Sequence, residues 1–494
     1  MVFKIAFYVF GLLLSLLLAP TVRSIRVRQF LVLLISYILY ATWGMWFLGV
    51  LVCSSLMNYA LGICVRRSPT PGRLWIGVML NVLLLGFFKY LPAMAGAIGI
   101  ELTTAGPFAE IIQPVGLSFW TFQALSYLFD LYREEELSPS ILEFCLYMAF
   151  WPTVLSGPIC RLPELLPQFR SVASPTLDDV GTGIRRLAVG AMMVGLAQVI
   201  GSGLRVGEGV NAGFDQISRT WGGPDVWCLA IGYGFLLFFD FAGYSSLAIG
   251  AARIFGICLP ENFNRPYLCS TPSEFWTRWH MSLSFWIRDY LFLPLATVRR
   301  ESWWRNLALI ISMVIFGLWH KGSLLFVLWG CYHGLLLVMH RQLQQLQKRF
   351  GLVWNSTTCT AISWVITFAA MNLGWILFRA HDLSQVWTML GSVLSPGTYS
   401  RFDMSSGFYL TVFLSVGGYL LVSLIDGAFD QYETRREVPG IAGRETGRLA
   451  GALEVIARER RVWAAPLVLT VSLYVLAVLL SQRSTSSGFL YMLF

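Results

Sequence analysis

The sequence predicts an all-α polytopic membrane protein that forms a single integral-membrane domain over residues 1–494. Of its residues, 56% are hydrophobic and only 13% are charged, whereas a soluble protein averages about 25% charged residues. Apolar stretches of about twenty residues, the length of a helix that crosses a bilayer, recur along the chain. The chain shows no internal repeat, and no segment is long and polar enough to form a separate soluble domain.

These apolar stretches define the candidate membrane spans. They are residues 3–20, 30–47, 48–64, 74–91, 141–157, 184–203, 226–248, 306–319, 324–340, 361–378, 408–425 and 464–481. Segments 114–131, 272–295 and 384–394 are shorter or more polar, so we expect them to be re-entrant or interfacial. The total is about eleven to thirteen spans. The first stretch lacks a small-residue cleavage site, so it is interpreted as a retained helix rather than a signal peptide.

The formal net charge of +9 comes from basic residues in short loops between the spans. This distribution is typical of the positive-inside bias and argues against a nucleic-acid partner. Basic loops at 23–28 and 66–73 predict a cytoplasmic location for those loops and an external N-terminus. The arginine-rich segment 426–463 is predicted to be a cytoplasmic amphipathic pair that lies on anionic membrane lipids. The nine cysteines are scattered singly, without metal-ligand spacing, so no metal site is expected.

Residues 306–340 contain the strongest candidate for a reactive side chain. Two apolar runs flank a short polar break with Trp319 and His320, and three of the chain's five histidines, His320, His333 and His340, fall here. An imidazole at the end of a membrane helix must be hydrogen-bonded or face water, because lipid offers it no partner. It can also exchange a proton near neutral pH. His320 is therefore a candidate catalytic base; the alternative is that these histidines are satisfied polar groups in a helix bundle.

Polar residues between positions 238 and 290 are also unusual for a membrane chain. Asp240 lies among phenylalanines, where a carboxylate costs several kcal/mol unless it is paired or hydrated. Asn262 lies in the loop Leu259–Tyr267, which its prolines exclude from a helix interior. With His320, these groups predict a polar, water-accessible tunnel through a helical bundle.

A helix is predicted to begin at Thr271, with proline in its first turn and Glu274 completing a capping box. Glu274 and Arg278 are spaced to pair one turn apart. His280 follows, either as a catalytic group or as an interfacial residue hydrogen-bonded to the backbone. One stripe of this helix is expected to carry Trp276, His280, Leu283 and Ile287.

Five stretches of the chain resemble the membrane-bound O-acyltransferase family. They are Asn81–Tyr90, Pro114–Arg133, Ser156–Arg161, Phe239–Pro294 and Phe316–Gly334, which together define a family core at 81–334. The strings ENFNRPY and EFWxRWHxSLSxWxRDYL are the most specific, and they resemble the bacterial branch that acetylates alginate or adds D-alanine to teichoic acid. The resemblance implies a ring of about eleven to thirteen transmembrane helices around a thinned centre. A tunnel through that centre would join a cytosolic donor to an external acceptor.

The resemblance also implies roles for individual residues. It makes His320 the catalytic histidine and His280, in the string Arg-Trp-His, an assisting group on the tunnel side. The residues expected along the substrate tunnel are Asp240, Asn262, Arg278, Trp319 and His333.

The implied reaction is O-acetylation, with acetyl-CoA as the acyl donor and no tightly bound cofactor. The acceptor would be a polysaccharide, with an alginate-like polymer as first choice and cellulose or peptidoglycan as others. The resemblance further implies a separate periplasmic acetyltransferase partner and a location in the bacterial inner membrane. Alternatives are a D-alanyl transferase, a flippase that moves polymer precursors, which the buried Asp240 would suit, and a scaffold in a polymer synthase.

Overall fold

A computed structural model describes residues 11, 24–90, 113–171, 175–203, 207–217, 219–351 and 356–437, with side chains as far as residue 424. These residues form helices and contain no strand. The α-helices are α1 (Ile25–Ala41), α2 (Met45–Arg67), α3 (Pro71–Lys89), α4 (Leu117–Tyr132), α5 (Ile141–Ala149), α6 (Leu162–Arg170), α7 (Leu177–Ser202), α8 (Val210–Asp215), α9 (Gly223–Ile254), α10 (Pro272–Arg278), α11 (Met281–Ile287), α12 (Leu293–Thr297), α13 (Ser302–His320), α14 (Leu324–Phe350), α15 (Thr357–Arg379), α16 (Leu383–Leu394) and α17 (Ser406–Glu437).

Eight helices in the described part of the chain are long and apolar enough to cross a membrane. They are α2, α3, α7, α9, α13, α14, α15 and the Ser406–Leu424 part of α17. The prediction of an all-α polytopic membrane protein is therefore confirmed. Residues 30–47 do not form one span as predicted, because α1 ends at Ala41. The chain turns there before Gly44, where φ is +148°.

Helix α9 is the centre of the fold. It has 32 residues, and 83% of its most apolar window is buried inside the protein. Its main neighbour is α7, and glycines let the two backbones approach closely: a Cβ on Gly190 would lie 2.6 Å from the carbonyl oxygen of Gly243. Small residues at such a crossing allow extensive van der Waals contact, which stabilises helix pairs in lipid.

One predicted span is wrong here, while two segments predicted to be too short or too polar to span the membrane are confirmed as such. The predicted span 141–157 is the nine-residue helix α5 followed by turns from Trp151 to Ser156. Pro152 explains the break, because proline lacks the N–H that a helix interior requires. The segments at 114–131 and 384–394 form α4 and α16, short helices that are not among the candidate spans.

The predicted continuous helix after Thr271 is also wrong. Thr271 caps α10 as expected, since its hydroxyl accepts a hydrogen bond from the Glu274 N–H at 3.1 Å, but Glu274 reaches back to the N–H of Ser270 instead of Thr271. The chain then breaks at Trp279 and His280 before α11, and a π-helical turn follows at Arg288–Phe292. The four residues expected on one stripe are therefore divided between α10, the break and α11.

Several predictions lie outside the described residues. The span at 3–20, apart from Gly11, and the span at 464–481 belong to this group. Of the basic segment 426–463, the structure describes only the helical backbone through Glu437. The external N-terminus and the membrane-surface role of that segment stay predictions.

Candidate functional site

His320 is the last residue of α13, as its place beside a polar break predicted. Its side chain is buried, with 5% of the residue exposed. Lys321 then leaves the helix in an extended conformation, with φ −154° and ψ 134°. The imidazole is thus held at the end of an apolar helix, where the last carbonyl groups have no partner within the helix.

Aromatic rings from three helices surround the His320 imidazole. The nearest are Trp319 and Phe316 of α13, whose ring centroids lie 4.5 and 5.0 Å from that of His320. Trp329 of α14 lies at 5.6 Å and Phe378 of α15 at 5.0 Å, both with their planes nearly perpendicular to the imidazole. This shell gives the imidazole a low-dielectric environment, in which electrostatic interactions are stronger than in water.

His280 occupies the break between α10 and α11 in a left-handed backbone conformation, with φ +43° and ψ +54°. Few residues other than glycine adopt this conformation, and it is enriched at functional sites. The ring is 1% exposed and packs against Phe241, with centroids 4.5 Å apart. The ring centroid of Phe119 lies 6.4 Å from those of both His280 and Trp319. One phenyl ring therefore separates His280 from the shell around His320.

Asn262 holds the His280 turn in place. Its backbone carbonyl accepts from the Met281 N–H at 2.8 Å, and its side-chain oxygen accepts from the Ser282 hydroxyl at 2.6 Å. Its amide nitrogen donates to Ser245 of α9 at 2.9 Å. The side chain is fully buried, so the described geometry makes Asn262 a clamp between the turn and the central helix.

Arg278 directly precedes this turn at the end of α10, and Asp240 lies on α9. Arg278 pairs with Glu274 at 2.7 Å, which confirms the predicted spacing, and its carbonyl accepts from Asn264 at 3.0 Å. Asp240 is 3% exposed on α9, so the carboxylate is buried as its phenylalanine neighbours predicted. Their roles along a substrate tunnel stay predictions.

His333 is a fully buried histidine on α14. Neither of its ring nitrogens has a hydrogen-bond partner within the described part of the chain. The ring packs between Trp276 and Trp329, with centroid distances of 5.2 and 4.8 Å. Its edge faces Gly374, where a Cβ would lie 2.6 Å from Nε2, so α15 can approach only because that residue is glycine. Trp329 contacts both His333 and His320 and links the two.

The structure therefore brings His320, Trp319, His280 and His333 into one aromatic cluster, while Asn262 supports it from outside. Trp329 and Phe378 were not predicted as neighbours of His320, because they lie on other helices. Lys89, whose ammonium lies 4.9 Å from the Trp319 ring centroid, was not predicted as a site residue either. A lysine at the end of an apolar helix was the available signal.

The sequence profile of the membrane-bound O-acyltransferase family matches residues 30–378 of this chain. The chain belongs to that family. It is an acyltransferase, and the cluster around His320 lies within the matched region.

Relatives of this O-acyltransferase carry names that specify alginate, peptidoglycan or teichoic acid. It is 31% identical over 436 residues to the protein named "Probable alginate O-acetylase AlgI" of Pseudomonas syringae pv. tomato, covering 85% of this chain and 81% of the relative. It is 30% identical over 436 residues to the peptidoglycan O-acetyltransferase of Helicobacter pylori, covering 82% and 80%. It is also 31% identical over 301 residues to the teichoic acid D-alanyltransferase of Streptococcus thermophilus, covering 56% and 71%.

Proposed function

We propose that this acyltransferase takes an acetyl group from cytosolic acetyl-CoA and transfers it toward a polysaccharide on the outer side of the bacterial cytoplasmic membrane. The observation that carries the proposal is the buried His320 at the end of α13, inside the region that matches the O-acyltransferase family. The relatives named for O-acetylation of alginate and peptidoglycan support acetyl as the acyl group. An alginate-like polymer is our first choice of acceptor, with cellulose or peptidoglycan as alternatives.

In the proposed reaction, His320 acts as the general base. A hydroxyl is a poor nucleophile at neutral pH, so its proton must pass to the imidazole as its oxygen attacks the thioester carbonyl. The C–O bond forms, the C–S bond breaks, and the departing thiolate takes the proton back from the imidazolium. The ester product and the free thiol then balance the hydroxyl and the thioester that entered.

The surrounding residues would assist in different ways. His280, one phenyl ring away from the Trp319 indole, would assist from the tunnel side, while Asn262 holds its backbone turn. The aromatic shell would limit the access of water, which hydrolyses a thioester. Because His320 is only 5% exposed, we expect part of this shell to move when substrates bind.

The charges at the helix ends support a direction of transfer. Arg66 and Arg67 end α2, and Lys348 and Arg349 lie in the last turn of α14. The positive-inside bias would place both ends in the cytoplasm, and therefore the opposite ends, including His320, toward the outer side. This arrangement would bring the donor from the cytosol and the acceptor from outside, where we expect a separate periplasmic acetyltransferase to receive the group.

A D-alanyl donor is the second candidate, favoured by the similarity to the relative named teichoic acid D-alanyltransferase. The chemistry at His320 would be the same, but the thioester would be carried by a protein. Family membership favours both of these transferase hypotheses over the flippase and scaffold hypotheses.

The test is release of free thiol from acetyl-CoA by the detergent-purified protein, with mannuronate oligosaccharides as acceptor and label on the acetyl group. We expect His320→Ala to reduce release and label transfer by about 10²–10⁴-fold. His381→Ala is the matched control, because that histidine is 42% exposed and lies outside the cluster. Normal turnover by His320→Ala would overturn the assignment. A wild-type protein that ignores acetyl-CoA but accepts D-alanyl thioester on a carrier protein would favour the second candidate.

A further inference from the structure

The end of α3 contacts the end of the helix that carries His320. Lys89 is the last residue of α3, and Tyr90 follows it. These two residues close the stretch Asn81–Tyr90, which resembles the family but has no part in the proposed reaction so far. Their contacts are with Leu318, Trp319 and the glycine that follows His320 in the loop.

Tyr90 fixes the relative position of the two helix ends. Its hydroxyl donates to the carbonyl oxygen of Leu318 at 2.8 Å. Its ring packs against Gly322, where an added Cβ would lie 3.1 Å from the ring. Contacts on both sides of His320 therefore hold the α3 end in register with α13.

Lys89 places a positive charge over the Trp319 indole, which is the ring next to His320. Its Nζ lies 4.9 Å from the Trp319 ring centroid, within the range of a cation–π interaction. The centroid of the His320 ring lies 4.5 Å from that of the same indole. Within the described residues, the charges of Lys89 and His280 act on the His320 ring. Helices α14 and α15 present aromatic rings to His320, while Phe122 of α4 packs against Trp319.

We propose that Lys89 is a positioning residue for the acyl-transfer centre: its ammonium holds the Trp319 indole against His320 and supplies a fixed positive charge beside the reacting atoms. The inference rests on the proposed function of His320. It adds a lysine, contributed by a different helix, to a centre otherwise made of histidines and aromatic rings.

The physical reason is the charge that develops during transfer. Negative charge builds on the carbonyl oxygen and then on the departing sulfur, and a cation held in a low-dielectric site stabilises both. The same cation opposes the positive charge on the His320 imidazolium, which promotes return of the proton to the departing sulfur. An interaction made mainly in the transition state changes kcat more than KM. A lysine that only capped the C-terminal end of α13 would instead stabilise the fold, and its loss would leave the turnover of folded protein unchanged.

The experiment compares Lys89→Met, Lys89→Arg and Tyr90→Phe in the acetyl-CoA thiol-release assay, with His320→Ala in parallel. We expect Lys89→Met to lower kcat by about 10–100-fold, with KM for acetyl-CoA changed by less than about 2-fold. Lys89→Arg should retain most of the wild-type kcat, because arginine keeps the charge and stacks on aromatic faces. Tyr90→Phe removes one hydrogen bond but keeps the cation, so we expect a smaller loss than for Lys89→Met.

Each result separates this inference from the function on which it rests. A Lys89→Met protein with wild-type kcat, or one with a lower melting temperature and normal kcat, would overturn the positioning role, as would Lys89→Arg as slow as Lys89→Met. If Lys89→Met does not fold, a normal kcat in Lys89→Gln overturns the inference. Activity in His320→Ala would instead refute the proposed function.

Discussion

Replacing His280 separates the chemistry of its imidazole from the strain in its backbone. The residue is held at φ +43°, ψ +54° between α10 and α11. His280→Gly and His280→Ala both remove the ring and its contact with Phe241. They differ only in the Cβ, which the left-handed conformation disfavours.

The expected difference in the free energy of unfolding follows from two opposing effects. A left-handed conformation costs a residue with a Cβ about 1–2 kcal/mol. Glycine avoids this cost but loses more chain entropy on folding, which offsets about 0.4–1 kcal/mol of its advantage. We therefore expect His280→Gly to be more stable than His280→Ala by about 1 kcal/mol, a difference in melting temperature on the order of 1–2 °C for a chain of this size.

Thermal melts in detergent and the thiol-release assay read out the two effects independently. If the imidazole assists catalysis, both variants should lose acetyl transfer to a similar degree despite their different stabilities. Full activity in His280→Gly would show that the ring is dispensable. A His280→Gly protein no more stable than His280→Ala would contradict the backbone strain.

Two further predictions concern stability. Asn58 and Asn81 are both fully buried and exchange amide hydrogen bonds of 3.1 and 2.7 Å between α2 and α3. Asn81→Leu should lower the free energy of unfolding by about 1–3 kcal/mol, and adding Asn58→Leu should recover part of that loss. Additive losses in thermal melts of the double variant would contradict the pairing. The hydrogen bonds from Arg170 lower the pKa of Glu143 from 4.5 to about 2. The contribution of this pair to the free energy of unfolding should therefore be complete above pH 4.5 and lost as the pH falls toward 2. Since Arg170 is 46% exposed, we expect the pair to contribute about 0.5–1 kcal/mol of stability. Stabilities of Arg170→Gln and wild type that change in parallel with pH would refute this prediction.

The fold class and the first candidate residue could be predicted from local patterns. Apolar length identified the spans, and the polar break after Trp319 placed His320 at a helix end, which α13 confirms. The capping residue Thr271 and the Glu274–Arg278 pair were also correct, because they depend on residues within one helical turn. The continuation of that helix through His280 was wrong, since contacts from Asn262, eighteen positions away, hold the break.

The sequence by itself determined that this is a polytopic helical membrane protein with an isolated imidazole at a helix end, because hydrophobicity and helix capping are local properties. Only the tertiary structure decided what surrounds that imidazole. Trp329, Phe378 and Lys89 come from α14, α15 and α3, and no local pattern specifies which faces of separate helices meet. Helix packing in lipid depends on close approach at small residues such as Gly374, so the environment of His320 emerges only when the bundle is assembled.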